Sequence, residues 1–486
     1  MSDTAEPGAL AAPARPQRGD ELELEVQSLA FGGEGVARLG DSGYVVFVAG
    51  AIPGDRVRAV VHKRKRSYAH ARTVEVLRPS PERIPPKADH PGVPWQVLPY
   101  ARQLEIKREQ VGEALRRIGG LEGFELEPIV PACEEWRYRN KLEYSFGADA
   151  AGELICGFHD SAGARRVSPL TDCLLASERS NRARELVLGW CRDQGLQAWA
   201  RGRRAEADGE RSGRRGEPVG AAPDGRPQLR NVVVREGRRS GTLQVRLVTT
   251  DGELDLAPLA HVLAEDLGEE LAGVLWTRSG SPAETTAGGD TELVWGEGEL
   301  AEQLCGLELR ISAEAFFQTN TEMSEALYGV AAEYAALESW ERVFDLYCGI
   351  GSIGLTLAPR AGELWGIELL EPAVADAIEG ARRNGITNAR FFAGDTRAAL
   401  PELVERAGRP DVVVVDPPRA GLSKKVVHRI IEAAPRRIVY VSCNPTTLAP
   451  NAAEMVAAGW SLRRVRSVDM FPQTHHIESV ALLERG

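Results

Sequence analysis

Residues 342–354 read RVFDLYCGIGSIG. An apolar run of strand length passes into Gly349, Gly351 and Gly354, and glycines at a strand-to-helix turn let the backbone approach a ligand closely. Working outward, the same rhythm of apolar strand, turn and helix-like stretch recurs in ELWGIEL (363–369), ARFFAGD (389–395), PDVVVVDPP (410–418) and RRIVYVSCNP (436–445). From Trp340 onward this alternation predicts an α/β, Rossmann-like domain with a mainly parallel sheet and crossover helices. In such sheets ligands bind beyond the carboxyl ends of the strands. The candidate functional residues fall at those ends, apart from Gln318 before the sheet and Glu478 near the last strand.

An acid, Glu368, closes the second strand 19 residues after Gly349. It can bind ribose hydroxyls, but glycine loop and acid serve an NAD-dependent dehydrogenase as well as a methyltransferase. The fourth and fifth strand ends are more informative. They read Asp416-Pro417-Pro418-Arg419-Ala420-Gly421 and Ser442-Cys443-Asn444-Pro445, and neither serves hydride transfer. The double proline fixes the chain after Asp416 and leaves its carboxylate at the strand tip. A lone cysteine is more often a small buried apolar residue; the polar surround of Cys443 at a cleft edge points towards reactivity.

The rest of the chain divides by composition. With 486 residues it exceeds one ordinary core, and 43% apolar with 27% charged residues fits a globular protein. Residues 1–18, MSDTAEPGALAAPARPQR, read as a disordered leader without the marks of a signal peptide. No apolar run reaches the roughly 18 residues of a membrane span, so a cytoplasmic location is expected. Seven widely spread cysteines, an odd number, argue against a disulfide framework.

The net charge of −11 hides a basic stretch. Between Asp55 and Arg78, Arg56, Arg58, Lys63, Arg64, Lys65, Arg66, Arg72 and Arg78 face only Asp55 and Glu75, with His62, Tyr68 and His70 interleaved. Such clusters bind phosphates and stack bases, although a solvated edge strand reads the same way. Short β segments between Gly and Pro turns make residues 19–79 a small β-barrel. Residues 80–311 read as a β-rich central domain of antiparallel character, with a helix over 100–118 and a flexible insertion near 201–230. Residues 312–486 form the third domain.

Taken in order, DLYCGIG, DPPRAG, YVSCNPTTLA, DMFPQTHHIE and, upstream, AFFQTN resemble the RNA 5-methyluridine methyltransferase family. FGGEGVARL and VVFVAGAIPGDRV before the basic run resemble its TRAM domain. The resemblance implies a class I methyltransferase domain that transfers a methyl group from S-adenosylmethionine to C5 of a uridine. It makes Cys443 the nucleophile and Glu478 the general base. Gln318, Tyr347, Ser352, Glu368, Asp395 and Asp416 then line the cofactor and target base. Thiolate addition at uracil C6 makes C5 nucleophilic, and a base must later remove the C5 proton. The thiolate needs a nearby positive group, for which Arg419 is a candidate. The target base must leave its stack, so a loop or unfolded RNA segment is expected as substrate.

Two departures from the family pattern stand out. Many relatives hold an iron–sulfur cluster on cysteines just before a Trp-Gln-x-Leu segment, with a fourth further on. Here residues 85–96 read PPKADHPGVPWQ, and Cys173 alone matches a ligand, so no cluster and no metal are expected. Ser352 stands where relatives often have Asn. The TRAM-like domain favours ribosomal RNA, with 23S rRNA first and transfer RNA as the alternative, and nothing demands more than a monomer. The rivals are a methyltransferase for another base and a non-catalytic RNA-binding protein that would tolerate loss of Cys443.

Overall fold

A computed structural model of the chain describes residues 15–40, 43–159, 166–199 and 225–485. Most of the expected leader and residues 201–224 of the expected insertion lie outside the described residues. Leu229 and Arg230, assigned from composition to that insertion, instead open the buried strand Leu229–Gly237. They lead through Asn231 into the apolar Val232–Val234 run, and the strand is flanked on both sides by partners.

The chain forms two compact units. The first contains the described residues up to 89 together with 93–110 and 472–476. Its sheet runs Glu21–Glu25, Arg56–Arg64, Tyr68–Arg78, Tyr44–Ala49, Gly35–Leu39, Ser28–Leu29, antiparallel except where Tyr44–Ala49 meets Tyr68–Arg78. Strict alternation explains it: in ELELE, Leu22 and Leu24 point inward and the glutamates outward, and they meet Val46, Val48, Val57 and Ala69 in the core. Asp55 is fully buried, yet Arg83 and the amides of Ile52 and Ser80 bind its carboxylate and hold its pKa low against burial. The segment 472–476, expected in the C-terminal domain, groups with this unit. Gln103 and Gln473 exchange hydrogen bonds there at 2.8 and 2.9 Å.

The second unit contains two large sheets. The seven-stranded one is antiparallel, as expected, except for Thr242–Thr249 beside Leu271–Arg278. The helix Ala257–Leu267 makes that crossover, which a parallel pair requires. The eight-stranded sheet has the order Ala389–Ala393, Glu363–Glu368, Arg342–Leu346, Val412–Val415, Arg437–Ser442, Glu478–Arg485, Trp460–Val468, Glu125–Leu126. The first five strands are parallel; the four inside the edge strand Ala389–Ala393 are buried on both faces and read as continuous apolar runs such as VVVV. Strand order reverses between Arg342–Leu346 and Val412–Val415, which places the ligand crevice beyond their carboxyl ends, where Tyr347 and Asp416 follow. Among the described residues no helix is long and apolar enough to cross a membrane.

Candidate active site

One antiparallel strand pair brings the expected nucleophile and base together. Arg437–Ser442 and Glu478–Arg485 run antiparallel, with Ser442 opposite Ser479. One further step along that register sets Cys443 against Glu478, a separation of about 5 Å between Cβ atoms for directly opposed residues. Asn444 then caps the helix Pro445–Ala457, accepting from the Thr446 amide, and Pro445 supplies the fixed φ of a first helical residue. The Asn444 side chain also donates to the Arg419 carbonyl at 3.0 Å, tying the Asp416–Gly421 turn to the cysteine loop. Thus Asn444 and Pro445 act on the backbone, and they leave Cys443 half-buried at a helix N-terminus.

Electrostatics mark the same place. Among the described residues, neither Glu478 nor Asp416 has a side-chain hydrogen bond or ion pair. Glu478 is only 5% exposed, and burial, then the Asp416 charge, push its carboxyl well above the usual range. Burial alone raises Asp416 to about 7. Cys443 is pushed up to about 11 by burial and by Glu478 and Asp416, with Arg419 opposing them. Buried acids without partners cost free energy and are concentrated at functional sites.

The glycine turn lies beside this cluster. Tyr347 takes a left-handed φ of 63°, a strained choice for a non-glycine residue. Gly351 has φ 78°, and a Cβ there would come within 3.0 Å of Ala377 and 3.1 Å of Phe391. At Gly354 a Cβ would meet Asp345 Oδ2 at 2.6 Å. Glu368 accepts from the amides of Gly349, Leu369 and Leu370 at 3.1, 2.7 and 3.1 Å, which fixes its carboxylate at the strand tip. Leu369 and Leu370 stand exposed beside it. Ser352 bonds the Tyr328 hydroxyl at 2.9 Å.

Asp395 caps the helix Thr396–Ala407 and is ion-paired with Arg397, which holds its carboxyl down at about 2. It lies close enough to Tyr347 to raise that phenol, after burial. A ligand reaching Asp395 therefore competes with Arg397. Gln318 stands apart. It is buried, and no hydrogen bond joins its side-chain amide to any described residue.

Sequence reasoning missed Asp345. It is fully buried at the end of the first strand and raised to about 8 by burial, then by Asp416. The motif DLYCGIG contains it, but only strand parity reveals that its side chain faces the core.

Comparison with known proteins identifies the family. Residues 299–486 match the family model of tRNA (uracil-5-)-methyltransferases, and residues 15–74 that of the TRAM domain. An uncharacterized RNA methyltransferase of Gloeobacter violaceus is 37% identical over 490 residues, covering 99% of both chains. One from Halalkalibacterium halodurans is 34% identical over 476 residues, 96% of this chain and 97% of its own. The chain belongs to the RNA uracil-C5 methyltransferase family. Among solved structures, the Pyrococcus abyssi tRNA (uracil-54, C5)-methyltransferase in complex with S-adenosyl-L-homocysteine superposes with a TM-score of 0.72 at 25% identity, over 95% of this chain and 99% of that one.

Within this methyltransferase family the cluster cysteines also need a structural test. Cys173 is fully buried, and its Sγ lies 3.3 Å from His90 Nε2. Burial pushes the thiol up, although Tyr144 and backbone amides oppose this. A single protonated thiol bonded to an imidazole does not fit a cluster that needs four thiolates. Among the described residues no group of three or more His, Cys, Asp or Glu side chains could hold a metal ion.

Proposed function

We propose that this protein transfers a methyl group from S-adenosylmethionine to C5 of a uridine in RNA through a covalent bond between Cys443 and uracil C6. The observation that carries this reading is the opposition of Cys443 and Glu478 at the end of one strand pair, beside the unpartnered Asp416. Tyr347, Ser352, Glu368, Asp395 and Asp416 suit the cofactor: open glycine backbone, an oriented acid for ribose and exposed leucines for adenine. Gln318, whose side-chain amide makes no hydrogen bond to any described residue, is assigned to the cofactor by the family resemblance. S-adenosylmethionine supplies an electrophilic methyl group.

The protein's own residues do the rest. The Cys443 thiolate adds to C6, which turns C5 into the carbon nucleophile. Arg419 favours that thiolate, and the helix N-terminus behind Asn444 adds positive potential. Once C5 carries the methyl group, Glu478 takes the C5 proton, and the C6–S bond breaks to regenerate the double bond and release Cys443. Burial makes Glu478 a stronger base than an exposed glutamate, provided its own proton has left first.

The first unit supports RNA binding. Phe47 and His70 stack at 5.3 Å, with Tyr68 edge-on to both. Beside them Lys63, Arg64, Lys65 and Arg66 have no ion pair among the described residues, whereas Arg56, Arg58 and Arg78 pair with Glu23, Glu75 and Glu25. Unpaired cations beside rings suit phosphates and bases. Ribosomal RNA, 23S first, is the substrate we put forward; transfer RNA is the second reading, favoured by the likeness to the Pyrococcus abyssi tRNA (uracil-54, C5)-methyltransferase. Wild type and Cys443→Ala are to be incubated with S-adenosylmethionine and, separately, unmodified ribosomal and transfer RNA, followed by nucleoside mass spectrometry. New 5-methyluridine in one RNA, absent with the variant, supports the reading and names the substrate. None in either RNA overturns it.

A further inference from the structure

The segment 312–320 has no helix or strand beyond Ser312, yet it carries the exposed Phe316 and the buried Gln318. Its backbone is held by two side chains of the central sheet. Arg235 donates to the Ser312 carbonyl at 3.0 Å and to the Ala315 carbonyl at 2.8 Å. Asn140 donates through Nδ2 to the Gln318 carbonyl and to Thr321 Oγ1, both at 2.9 Å, and through its backbone amide to the Thr319 carbonyl at 2.8 Å. The two act from adjacent positions: Arg235 pairs with Lys141, and Asn140 directly precedes it. Opposite them, Ser312 Oγ donates to Asp376, and Asn320 to the Met470 carbonyl at 3.0 Å.

Arg235 is only 3% exposed and has no ion pair among the described residues. Burial and the neighbouring Arg246 push its pKa down to about 10. Keeping a cation there is costly, and an apolar residue would serve packing alone better. What only the guanidinium fork can do is bridge two carbonyls at the root of the segment. Downstream, Gln318 has the opposite character: its backbone is bound, while its side-chain amide makes no hydrogen bond to any described residue and is left available to a ligand.

We propose that Arg235 and Asn140 are positioning residues for Gln318, clamping the 312–321 backbone from the central sheet so that the Gln318 amide is held ready for the cofactor. This rests on the reading of Gln318 as a cofactor-contacting residue. A displacement near 1 Å can cost up to about 100-fold at a binding or reacting group, so loss of one clamp residue is expected to weaken ligand binding about tenfold.

The test is a double-mutant cycle on S-adenosylhomocysteine affinity by calorimetry, using the full chain: wild type, Asn140→Ala, Gln318→Ala and the pair. Asn140→Ala and Gln318→Ala should each weaken binding about tenfold, and the pair should fall within about threefold of Gln318→Ala alone, since contacting residues acting through one group are not additive. Full additivity, or an unchanged Kd in Asn140→Ala, overturns the proposal. Arg235→Lys, which keeps one donor, should lose less than Arg235→Ala, and thermal melts identify any variant that fails to fold; equal losses in the two folded variants refute the fork. If wild type binds S-adenosylhomocysteine and Gln318→Ala binds equally well, the assignment of Gln318 fails and the clamp with it. If wild type does not bind it, the methyltransferase reading itself fails.

Discussion

The free protein should hold Cys443 as a thiol, and alkylation can show it. Burial, Glu478 and Asp416 push its pKa up to about 11 from a reference of 9.0. At pH 8 roughly one molecule in a thousand then carries the thiolate, against roughly one in ten for an unshifted thiol, a deficit of about 100-fold. The more basic thiolate is intrinsically more nucleophilic, by about eightfold for two pKa units at a Brønsted slope near 0.45. The net expectation is about tenfold slower alkylation by iodoacetamide at pH 8, before any hindrance from burial. The shape of the profile is the sharper criterion. Peptide mass spectrometry of the Cys443 peptide, with the exposed Cys133 as accessibility control, should show the rate rising about tenfold per pH unit from 7 to 10. Asp416→Asn should speed the reaction at fixed pH and Arg419→Ala should slow it, since these charges act in opposite directions. A plateau below pH 9 would refute the reasoning, because the helix N-terminus would then outweigh burial and both acids.

Glu478→Gln should still form the bond to C6 but fail to release it, so a covalent RNA–protein band should accumulate on denaturing gels while turnover falls about 10²–10⁴-fold; rapid turnover without such a band refutes Glu478 as the base. Replacing Lys63, Arg64, Lys65 and Arg66 with Ala should flatten the dependence of log K on log salt by about 3, near 0.7 for each phosphate of single-stranded RNA that is no longer neutralised, and an unchanged slope in a filter-binding titration removes the hairpin from the interface. Asp345 has a folded pKa of about 8 against a reference of 3.8. The folded state therefore binds the extra proton, and stability should fall as pH rises between about 4 and 8. Asp345→Asn should match wild type near pH 4 and exceed it progressively up to pH 8, by several degrees in Tm; a constant difference across that range excludes the charge as the cause.

How much of this is legible depends on how local each signal is. Parallel strands buried on both faces announce themselves as runs such as Val412–Val415, and their tips carry the motif residues, so Asp416, Glu368 and Cys443 can be placed by inspection. The pairing of Cys443 with Glu478 cannot, because 35 residues separate them and only the antiparallel register of the last strands brings them together. Leu229 and Arg230 are misplaced because composition averages over a window, while the strand begins within it. Segment 472–476 joins the first unit through Gln473, a long-range partnership that no periodicity encodes. Arg235 and Asn140 are invisible for a similar reason. Each reads as an ordinary polar residue in or just before a strand until its buried side chain is seen to bind carbonyls about 80 and 180 residues away.

Asp416 links the separate observations. Its own rise comes from burial alone, whereas Asp345, Glu478 and Cys443 are each raised further by its charge. One carboxylate therefore sets the protonation of two acids and the nucleophile together. As pH rises through about 7 and Asp416 ionises, all three hold their protons more tightly; a positive charge placed beside it has the reverse effect on all three at once. The thiolate is thus least available while the crevice carries an uncompensated negative charge. A site built this way keeps its cysteine quiescent at rest, and it couples activation of Cys443 to whatever neutralises Asp416.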